Sequence, residues 1–372
     1  MRLALPLVVV PCMLLAGMAR ATSPNDPAVA AAASSSVGSG ASSSAQPAAA
    51  PMSANPPAAP NPPAAPAQAD PRDLLFAAPT SVDYIGRIVV AVMVDGHGPF
   101  RFIVDTGANF CTISPRLVTQ LGLVPSTESA IEVSGITGTA RVPTVPIRKL
   151  QAGDLVIEDA RFPVVWAPLM AGADGILGVA GLRKDKLLVD FEHNRVVISR
   201  SWRYLSSTDY SRVHATRVRG GLIALNAHVG GVPVLAIIDT GSERTIGNMA
   251  LHDALYGKRQ ANRSVRIADV YGATTEIVSG ELDASPLIDL GSIRIGDVTL
   301  VFGHFHIFDV WGLEQRPALI VGMDVLGTVS ALSIDFRSAE IYIDSKYALG
   351  LSARTAPSCA AAIRASRAHC SG

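Results

Sequence analysis

After residue 72, apolar runs of strand length dominate the sequence, and long stretches of helical periodicity are absent. Residues 87–107 contain two apolar runs on either side of a glycine-containing turn, and residues 221–241 contain two more. Each pair predicts a β-hairpin. Helical patterns are short and cover 113–123, where Ser114 is a candidate N-cap, and 246–257. The pattern therefore predicts an all-β protein with few short helices.

The same order of features occurs twice, so the chain is an internal repeat. The first hairpin leads into "IVDTGAN" at 103–109, and the second leads into "IIDTGSE" at 237–243. A helical stretch follows each motif, and then a glycine-punctuated β segment, at 131–142 and 267–278. Each half is therefore expected to repeat one local fold.

Each half ends on an apolar-apolar-Gly motif and a strand that contains Val/Ile-Asp-Phe. Gly178 lies 73 residues after Asp105, whereas Gly322 lies 83 residues after Asp239. An insertion in a surface loop accounts for the extra residues. Because strands dominate, each half should form a small closed β unit.

A single Asp-x-Gly usually marks only a turn, but two copies preceded by Val or Ile point to chemistry. The apolar context holds each carboxylate near the domain interior, where ionised carboxylates are rare unless paired. If the halves pack about a pseudo-twofold axis, Asp105 and Asp239 meet there and share one proton. One carboxyl then acts as a general base and the other as a general acid.

The residues after each aspartate are expected to support this dyad. The threonine hydroxyls are placed to bond backbone across the axis, and the glycines allow backbone N–H groups to approach the carboxylates. A serine after the second motif is placed to bond the outer oxygen of Asp239. The supporting residues are Thr106, Gly107, Ala108, Thr240, Gly241 and Ser242.

These motifs resemble those of the retropepsin-like and pepsin-like aspartic peptidases. The resemblance is carried by "FIVDTGA" with Gly178 after Ile176-Leu177, and by "AIIDTGS" with Gly322 after Ile320-Val321. "DGHGPFRFIVDTGA" is particularly similar to bacterial exported retropepsin-like proteins, and the similarity covers roughly residues 80–345. It implies two homologous acid-protease-like β-barrel lobes related by a pseudo-twofold axis, with one catalytic aspartate in each.

The resemblance also implies a hairpin flap over the cleft. "SGITGT" (134–139) matches the glycine-rich flap tip of retropepsins, and "YGATT" (271–275) is its counterpart in the second half. The flap and substrate-binding residues are expected to be Gly135, Ile136, Thr137, Gly138, Tyr271 and Gly272. The chain departs from pepsins by lacking a tyrosine in the first flap. Its first motif ends in Ala108, as in retropepsins, and its second in Ser242, as in pepsins, which indicates a fused, single-chain version of the retropepsin dimer.

The remaining segments define the domain organisation. The predicted parts are a signal peptide (1–21), a disordered tether rich in Ala, Ser and Pro (22–72), an N-terminal lobe (73–204), a C-terminal lobe (205–346) and a tail (347–372). The protein is therefore expected to be exported, either periplasmic or secreted. The alternative is an uncleaved membrane anchor through residues 3–19, although this run is shorter than the ~20 apolar residues that a membrane span needs.

Cysteine spacing is consistent with export. Cys359 and Cys370 are spaced to close a small disulfide loop in the tail, and Cys111 is expected to be a buried free thiol.

Other polar residues are not expected to form sites. His304 and His306 are expected on one face of a strand, but a third metal ligand is not evident near them. Asp190 and Asp335, in the repeated Val/Ile-Asp-Phe strands, are expected to have turn or strand-end roles. Asp324 is expected to cap a short helix.

The predicted function is an aspartic endopeptidase that binds a peptide or protein substrate and uses neither a cofactor nor a metal. The net charge of +0 gives no indication of a nucleic-acid partner. A monomer is expected, with a membrane contact only if the signal segment is uncleaved. Two alternatives stay open: a catalytically silent peptide-binding or scaffolding module of the cell envelope, and a homodimer in which each half pairs with its copy. A cleft filled by the extra residues of the second half would favour the silent module.

Overall fold

The computed structural model describes residues 14–15, 74–79, 81–82, 86–165, 170, 172–200, 210–257, 266–291 and 293–344. All of these residues belong to one compact unit. The predicted tether, the tail with Cys359 and Cys370, and the signal segment apart from Leu14–Leu15 lie outside the described residues. The boundaries of the predicted domains therefore stay predictions.

The first half of the chain forms strands and one short helix. They are β1 (Leu14–Leu15), β2 (Leu74–Pro79), β3 (Ser81–Val82), β4 (Ile88–Val94), β5 (His97–Asp105), β6 (Thr112–Ile113), α1 (Pro115–Gln120), β7 (Ser126–Gly135), β8 (Gly138–Ala152), β9 (Leu155–Pro163), β10 (Gly175–Gly178), β11 (Lys186–Asp190) and β12 (Arg195–Ser199). The predicted N-cap is confirmed, because the Ser114 hydroxyl accepts a hydrogen bond from the Leu117 N–H.

The second half repeats this order and adds helices. Its elements are β13 (Tyr210–Arg217), β14 (Ile223–Val229), β15 (Val232–Ile238), β16 (Ile246–Asn248), α2 (Met249–Tyr256), β17 (Arg266–Tyr271), β18 (Ile277–Ala284), β19 (Ile288–Asp289), β20 (Arg294–Ile295), β21 (Thr299–Gly303), α3 (His306–Trp311), β22 (Ala318–Val321), α4 (Met323–Leu326), β23 (Ala331–Asp335) and β24 (Glu340–Asp344). Among the described residues, no helix has the length and apolar character needed to cross a membrane.

In each half the Asp-Thr-Gly motif lies at the end of a hairpin, beside a parallel strand. The predicted hairpins are confirmed as the antiparallel pairs β4–β5 and β14–β15. β5 then runs parallel to β10, which sets Asp105 level with Gly178. β15 runs parallel to β22 in the same way, and the Asp239 N–H donates to the Val321 carbonyl oxygen at 3.0 Å. The apolar-apolar-Gly motifs are thus the strands beside the two aspartates.

The two halves share one sheet, which joins the lobes. β11 of the first half pairs antiparallel with β23 of the second half, and Leu188 lies opposite Ser333. The pairs Asp190–Ala331 and Lys186–Asp335 lie at equal distances on either side of that central pair. The expected all-β fold of two homologous lobes about a pseudo-twofold axis is confirmed.

Asp190 and Asp335 have the structural roles expected of them. The Asp190 carboxylate accepts a hydrogen bond from the His193 N–H, and the Asp335 carboxylate accepts bonds from the N–H groups of Arg337 and Ser338. Both therefore close the tight turns that follow β11 and β23.

Two local expectations are wrong. Gly322 is the N-cap of α4, and Asp324 lies inside its first turn, where its carboxylate accepts a bond from the Thr245 hydroxyl at 2.6 Å. β21 ends at Gly303 and α3 begins at His306, so the histidines are not on one face of a strand. At the first place the helix begins earlier than the local pattern indicated, and at the second a helix begins where a strand was expected.

Cys111 is a buried free cysteine, as expected. Burial raises the pKa of its thiol to about 11, against weaker opposing hydrogen bonds from the backbone at Gly178 and Gly181. The thiol is therefore protonated near neutral pH and packs as a small apolar group.

Candidate active site

Asp105 is the last residue of β5, Asp239 directly follows the last residue of β15, and neither has solvent-exposed surface. In each turn, the N–H of the glycine two residues later donates to the aspartate: Gly107 to Oδ1 of Asp105 at 2.8 Å, and Gly241 to Oδ1 of Asp239 at 2.9 Å. These bonds favour the charged form of each carboxyl and fix its orientation. The two turns thus have the same geometry.

Each carboxyl also lies against the glycine of the opposite turn. A β-carbon on Gly107 would lie 2.5 Å from both carboxyl oxygens of Asp239, and one on Gly241 would lie 2.5 Å from Oδ1 of Asp105. Such distances are far inside van der Waals contact. The glycines are therefore needed because the carboxyl from the other lobe occupies the position of a side chain, and the two aspartates meet at the axis.

The two threonines join the turns across the axis by reciprocal hydrogen bonds. The Thr106 N–H donates to the Thr240 hydroxyl, and the Thr240 N–H donates to the Thr106 hydroxyl, each at 3.1 Å. Each hydroxyl donates in turn to the opposite strand, Thr106 to the Ile238 carbonyl oxygen at 2.8 Å and Thr240 to that of Val104 at 2.7 Å. The four bonds tie the two lobes together directly behind the dyad.

The residues after the glycines differ between the halves. Ala108 is fully buried, and its carbonyl oxygen accepts the Val179 N–H at 2.9 Å. The Ser242 N–H donates to Oδ1 of Asp239 at 3.1 Å, but its hydroxyl donates to the Arg244 carbonyl oxygen at 2.7 Å. The expectation that the Ser242 hydroxyl bonds the outer oxygen of Asp239 is therefore wrong, because the loop carbonyl at Arg244 takes that donor.

The two carboxyls have different proton affinities. Burial raises the pKa of Asp105 to about 6, although the Asp239 carboxyl, the backbone N–H groups and the Arg87 cation act in the opposite direction. Burial also raises the pKa of Asp239 well above its usual value, and the charge and hydrogen bond of Asp105 raise it further. Near neutral pH the pair therefore holds one shared proton, and the Arg87 cation favours the ionised form of Asp105.

Arg87 gives this difference a structural cause. Extending the β4–β5 register by two residues from Val89–Ile103 places Arg87 opposite Asp105, and Arg87 is fully buried. Extending the β14–β15 register from Ala224–Ile237 places Leu222 opposite Asp239. Residues directly opposite in an antiparallel pair are close neighbours. One aspartate thus has a cation across its hairpin, and the other has an apolar side chain.

The expected flap is the hairpin of β7 and β8. Its tip is the pair Ile136 and Thr137, which lies between the paired residues Gly135 and Gly138. Ile136 is 0% exposed and Thr137 is 2% exposed. The tip therefore does not project into solvent but is packed inside the molecule.

The second lobe holds the flap tip. The hydroxyls of Thr137 and Thr274 share a hydrogen bond of 2.8 Å, and the His306 N–H donates to the Ile136 carbonyl oxygen at 3.0 Å. The Thr139 hydroxyl also bonds Nε2 of His306 at 2.8 Å. Together these residues form a clasp, which we define as Ile136, Thr137 and Thr139 of the flap with Thr274 and His306 of the second lobe.

The predicted counterpart of the flap is the β17–β18 hairpin. Tyr271 ends β17 and is half-buried, and Gly272 follows it. A β-carbon on Gly272 would lie 2.8 Å from Cγ2 of Thr137, so the two hairpin tips touch there. Of the six predicted flap residues, Ile136, Thr137, Gly138 and Gly272 therefore lie at the contact between the flap and the second lobe.

Sequence reasoning missed Arg87, Thr274 and the role of His306. Arg87 had a usable signal, because it is the charged residue at the start of an apolar strand and register alone sets it opposite Asp105. His306 had no such signal, because its contact with Thr139 depends on how α3 packs against the flap.

Comparison with known proteins agrees with this geometry. A family model described as aspartyl protease matches residues 90–180 and 225–325, which together make up just over half of the chain. These two regions contain both Asp-Thr-Gly turns, both apolar-apolar-Gly strands and both flap hairpins. Curated proteins gave no match. The chain therefore belongs to the aspartyl protease family.

Proposed function

We propose that this protein is an aspartic endopeptidase that hydrolyses peptide bonds with a water molecule activated between Asp105 and Asp239. The observation that carries the proposal is the close approach of two buried carboxyls with unequal proton affinities. Such a pair offers a base and an acid in one site.

In the proposed reaction Asp105 is ionised and Asp239 carries the shared proton. The water oxygen attacks the substrate carbonyl carbon while Asp105 takes a proton from the water. At the same time Asp239 donates its proton to the carbonyl oxygen. When the carbon–nitrogen bond breaks, the proton taken by Asp105 passes to the leaving amine, and a hydroxyl proton of the intermediate returns to Asp239. The products are a carboxyl group and an amine, and the starting protonation state is restored.

The clasp sets a condition on this reaction. Both aspartates are fully buried, and the flap tip is bonded to the second lobe. A substrate therefore reaches the dyad only after the Thr137–Thr274 and Thr139–His306 bonds open. Flap opening is accordingly a required step of the proposed cycle.

One observation favours the alternative of a silent binding module. α3 lies in the longer second half, and its first residue, His306, bonds the flap at Ile136 and Thr139. Residues of the second half thus help to close the cleft. If this closure is permanent, the fold presents only its outer surfaces to a partner.

Activity assays separate the two functions. The mature chain is incubated with a mixed peptide library between pH 3 and pH 8, beside Asp105→Asn, Asp239→Asn and the control Asp154→Asn, whose side chain is exposed. Cleavage by wild type and the control, with loss of at least about 1,000-fold in both dyad variants, supports the proposal. A folded wild type that cuts nothing supports the silent module.

We also propose that the protein is exported and acts as a monomer. The N-terminal apolar segment supports export, and the meeting of both aspartates within one chain supports the monomer. Edman sequencing of the mature N-terminus tests the cleavage after residue 21. Light scattering tests the oligomeric state, and a dimeric mass would support pairing between copies.

A further inference from the structure

A second group of titratable side chains lies between α2 and the sheet of the second lobe. His252 projects from α2, and its side chain is 6% exposed. Glu281 and Asp283 are two residues apart on β18 and therefore lie on one face of that strand. One donor atom from each of the three side chains lies within 4.8 Å of the other two. The mechanism proposed for the dyad uses none of them.

Two distances in this cluster are slightly longer than those between the ligands of a metal ion. Nε2 of His252 lies 3.6 Å from Oδ2 of Asp283 and 3.9 Å from Oε2 of Glu281. Direct N–H···O hydrogen bonds are shorter, about 2.7–3.2 Å. Ligands bound tetrahedrally to zinc at about 2.0–2.1 Å are separated by roughly 3.4 Å. A small contraction would therefore bring all three atoms onto one ion.

The other ring nitrogen of His252 faces a carboxylate, as is usual for a metal ligand. Nδ1 lies 3.4 Å from Oδ1 of Asp253, slightly beyond the usual hydrogen-bond distance. A ligating histidine almost always donates its second N–H to a carboxylate or carbonyl, which leaves the first nitrogen free to coordinate. The rings of Tyr256 and Phe302, each 5.2 Å from the imidazole, hold it in place.

Charge also favours a cation at this position. Asp283 is buried and Glu281 is half-buried, so their charges are poorly compensated by solvent. A divalent ion bound between the two carboxylates would be attracted by both of their charges. One imidazole nitrogen with two carboxylate oxygens is a donor set that suits zinc and, less tightly, manganese.

We propose that His252, Glu281 and Asp283 bind one zinc ion, which fastens α2 to β18. The ion would link α2 to the base of the β17–β18 hairpin, whose tip contacts the flap, and a water molecule would complete its four ligands. Bound zinc would stabilise the fold, since an ion that binds only the folded chain raises its unfolding temperature. The inference does not depend on peptidase activity.

The test is a titration of the tag-free mature chain after removal of metals with a chelator and dialysis. Isothermal titration calorimetry with zinc chloride is expected to give one saturable site per chain with micromolar or tighter affinity, weaker binding of Mn²⁺, and a higher thermal unfolding temperature. Glu281→Gln is expected to weaken zinc binding at least about 100-fold, and Asp253→Asn, outside the ligand set, about 10- to 100-fold. The matched control is Asp269→Asn on the neighbouring strand β17, which removes one exposed carboxylate and should leave the affinity unchanged.

The competing explanation is a protonated His252 that pairs directly with the two carboxylates. In that case zinc gives no saturable heat, or Glu281→Gln and Asp253→Asn bind as wild type does, and either result overturns the proposal. His252→Gln is a further variant, but His252 is buried and its replacement carries a risk of misfolding. The variants of half-buried Glu281 and exposed Asp253 therefore decide the outcome.

Discussion

Gly241 lies directly against Asp105, because a β-carbon at Gly241 would come within 2.5 Å of the Asp105 carboxyl. Gly241→Ala is therefore expected to push the two turns apart, to lower kcat at least about 100-fold and to destabilise the protein by about 2–4 kcal/mol. Peptide cleavage and urea unfolding measure the two effects.

Gly296→Ala is the matched control for that substitution. The nearest atom to a β-carbon at Gly296 is 3.6 Å away, which is an ordinary contact. Its activity and stability should equal those of wild type. A fully active Gly241→Ala protein would mean that the two carboxyls do not meet in solution as they do here.

The reciprocal hydrogen bonds of Thr106 and Thr240 are expected to carry much of the stability of the contact between the lobes at the dyad. Thr106→Val and Thr240→Val should each lower the unfolding free energy by about 1–3 kcal/mol, because each leaves buried backbone groups without a partner. The two changes break different bonds. The double variant should still lose less than the sum, because each single change already loosens the one contact between the turns that both threonines support. Strictly additive losses, measured in a double-mutant cycle, would show that the threonines act independently.

The dyad was predictable from the sequence because it depends on local patterns that are repeated. Valine and isoleucine before Asp105 and Asp239 predict buried strand ends, and repetition predicts a twofold arrangement. The hydroxyl of Ser242 was not predictable, because its direction depends on where the loop places the Arg244 carbonyl. The clasp could not be predicted from the sequence either. His306 is 167 residues from Thr139 in the chain, and the two meet only because α3 packs against the flap.

The clasp should protect the flap from exchange with solvent. Thr274→Val removes the hydroxyl that bonds Thr137, so amide hydrogen exchange at the flap tip is expected to rise about 5- to 10-fold, because a lost hydrogen bond is worth about 1 kcal/mol. Mass spectrometry of peptides that cover residues 134–139 measures this directly. Thr299→Val, on β21 outside the clasp, should leave the exchange unchanged, and equal exchange in both variants would mean that the clasp does not hold the flap.

Burial of the dyad should make the unfolding free energy fall as the pH rises. Burial raises the pKa of Asp105 to about 6 from 3.8, so the folded chain binds that proton more tightly than the unfolded chain does. The resulting stability is fully present below pH 3.8 and is lost as the pH rises through 6. Relative to Asp105→Asn, the wild type should therefore lose unfolding free energy between pH 4 and pH 6 in urea titrations. A difference between the two proteins that is constant across this range would contradict the raised pKa.

Arg87 is expected to set the acidic limb of the activity profile. Its cation lies across the β4–β5 hairpin from Asp105 and favours the ionised carboxylate, whereas Leu222 faces Asp239. Without the cation the pKa of Asp105 should rise, so in Arg87→Met the acidic limb of kcat/KM should move to higher pH by about 0.5–1 unit. Arg87→Lys retains the charge and should restore most of the wild-type profile. A uniform loss of activity at every pH in Arg87→Met would indicate a purely structural role, because misplacement of the dyad lowers the rate without moving the limb.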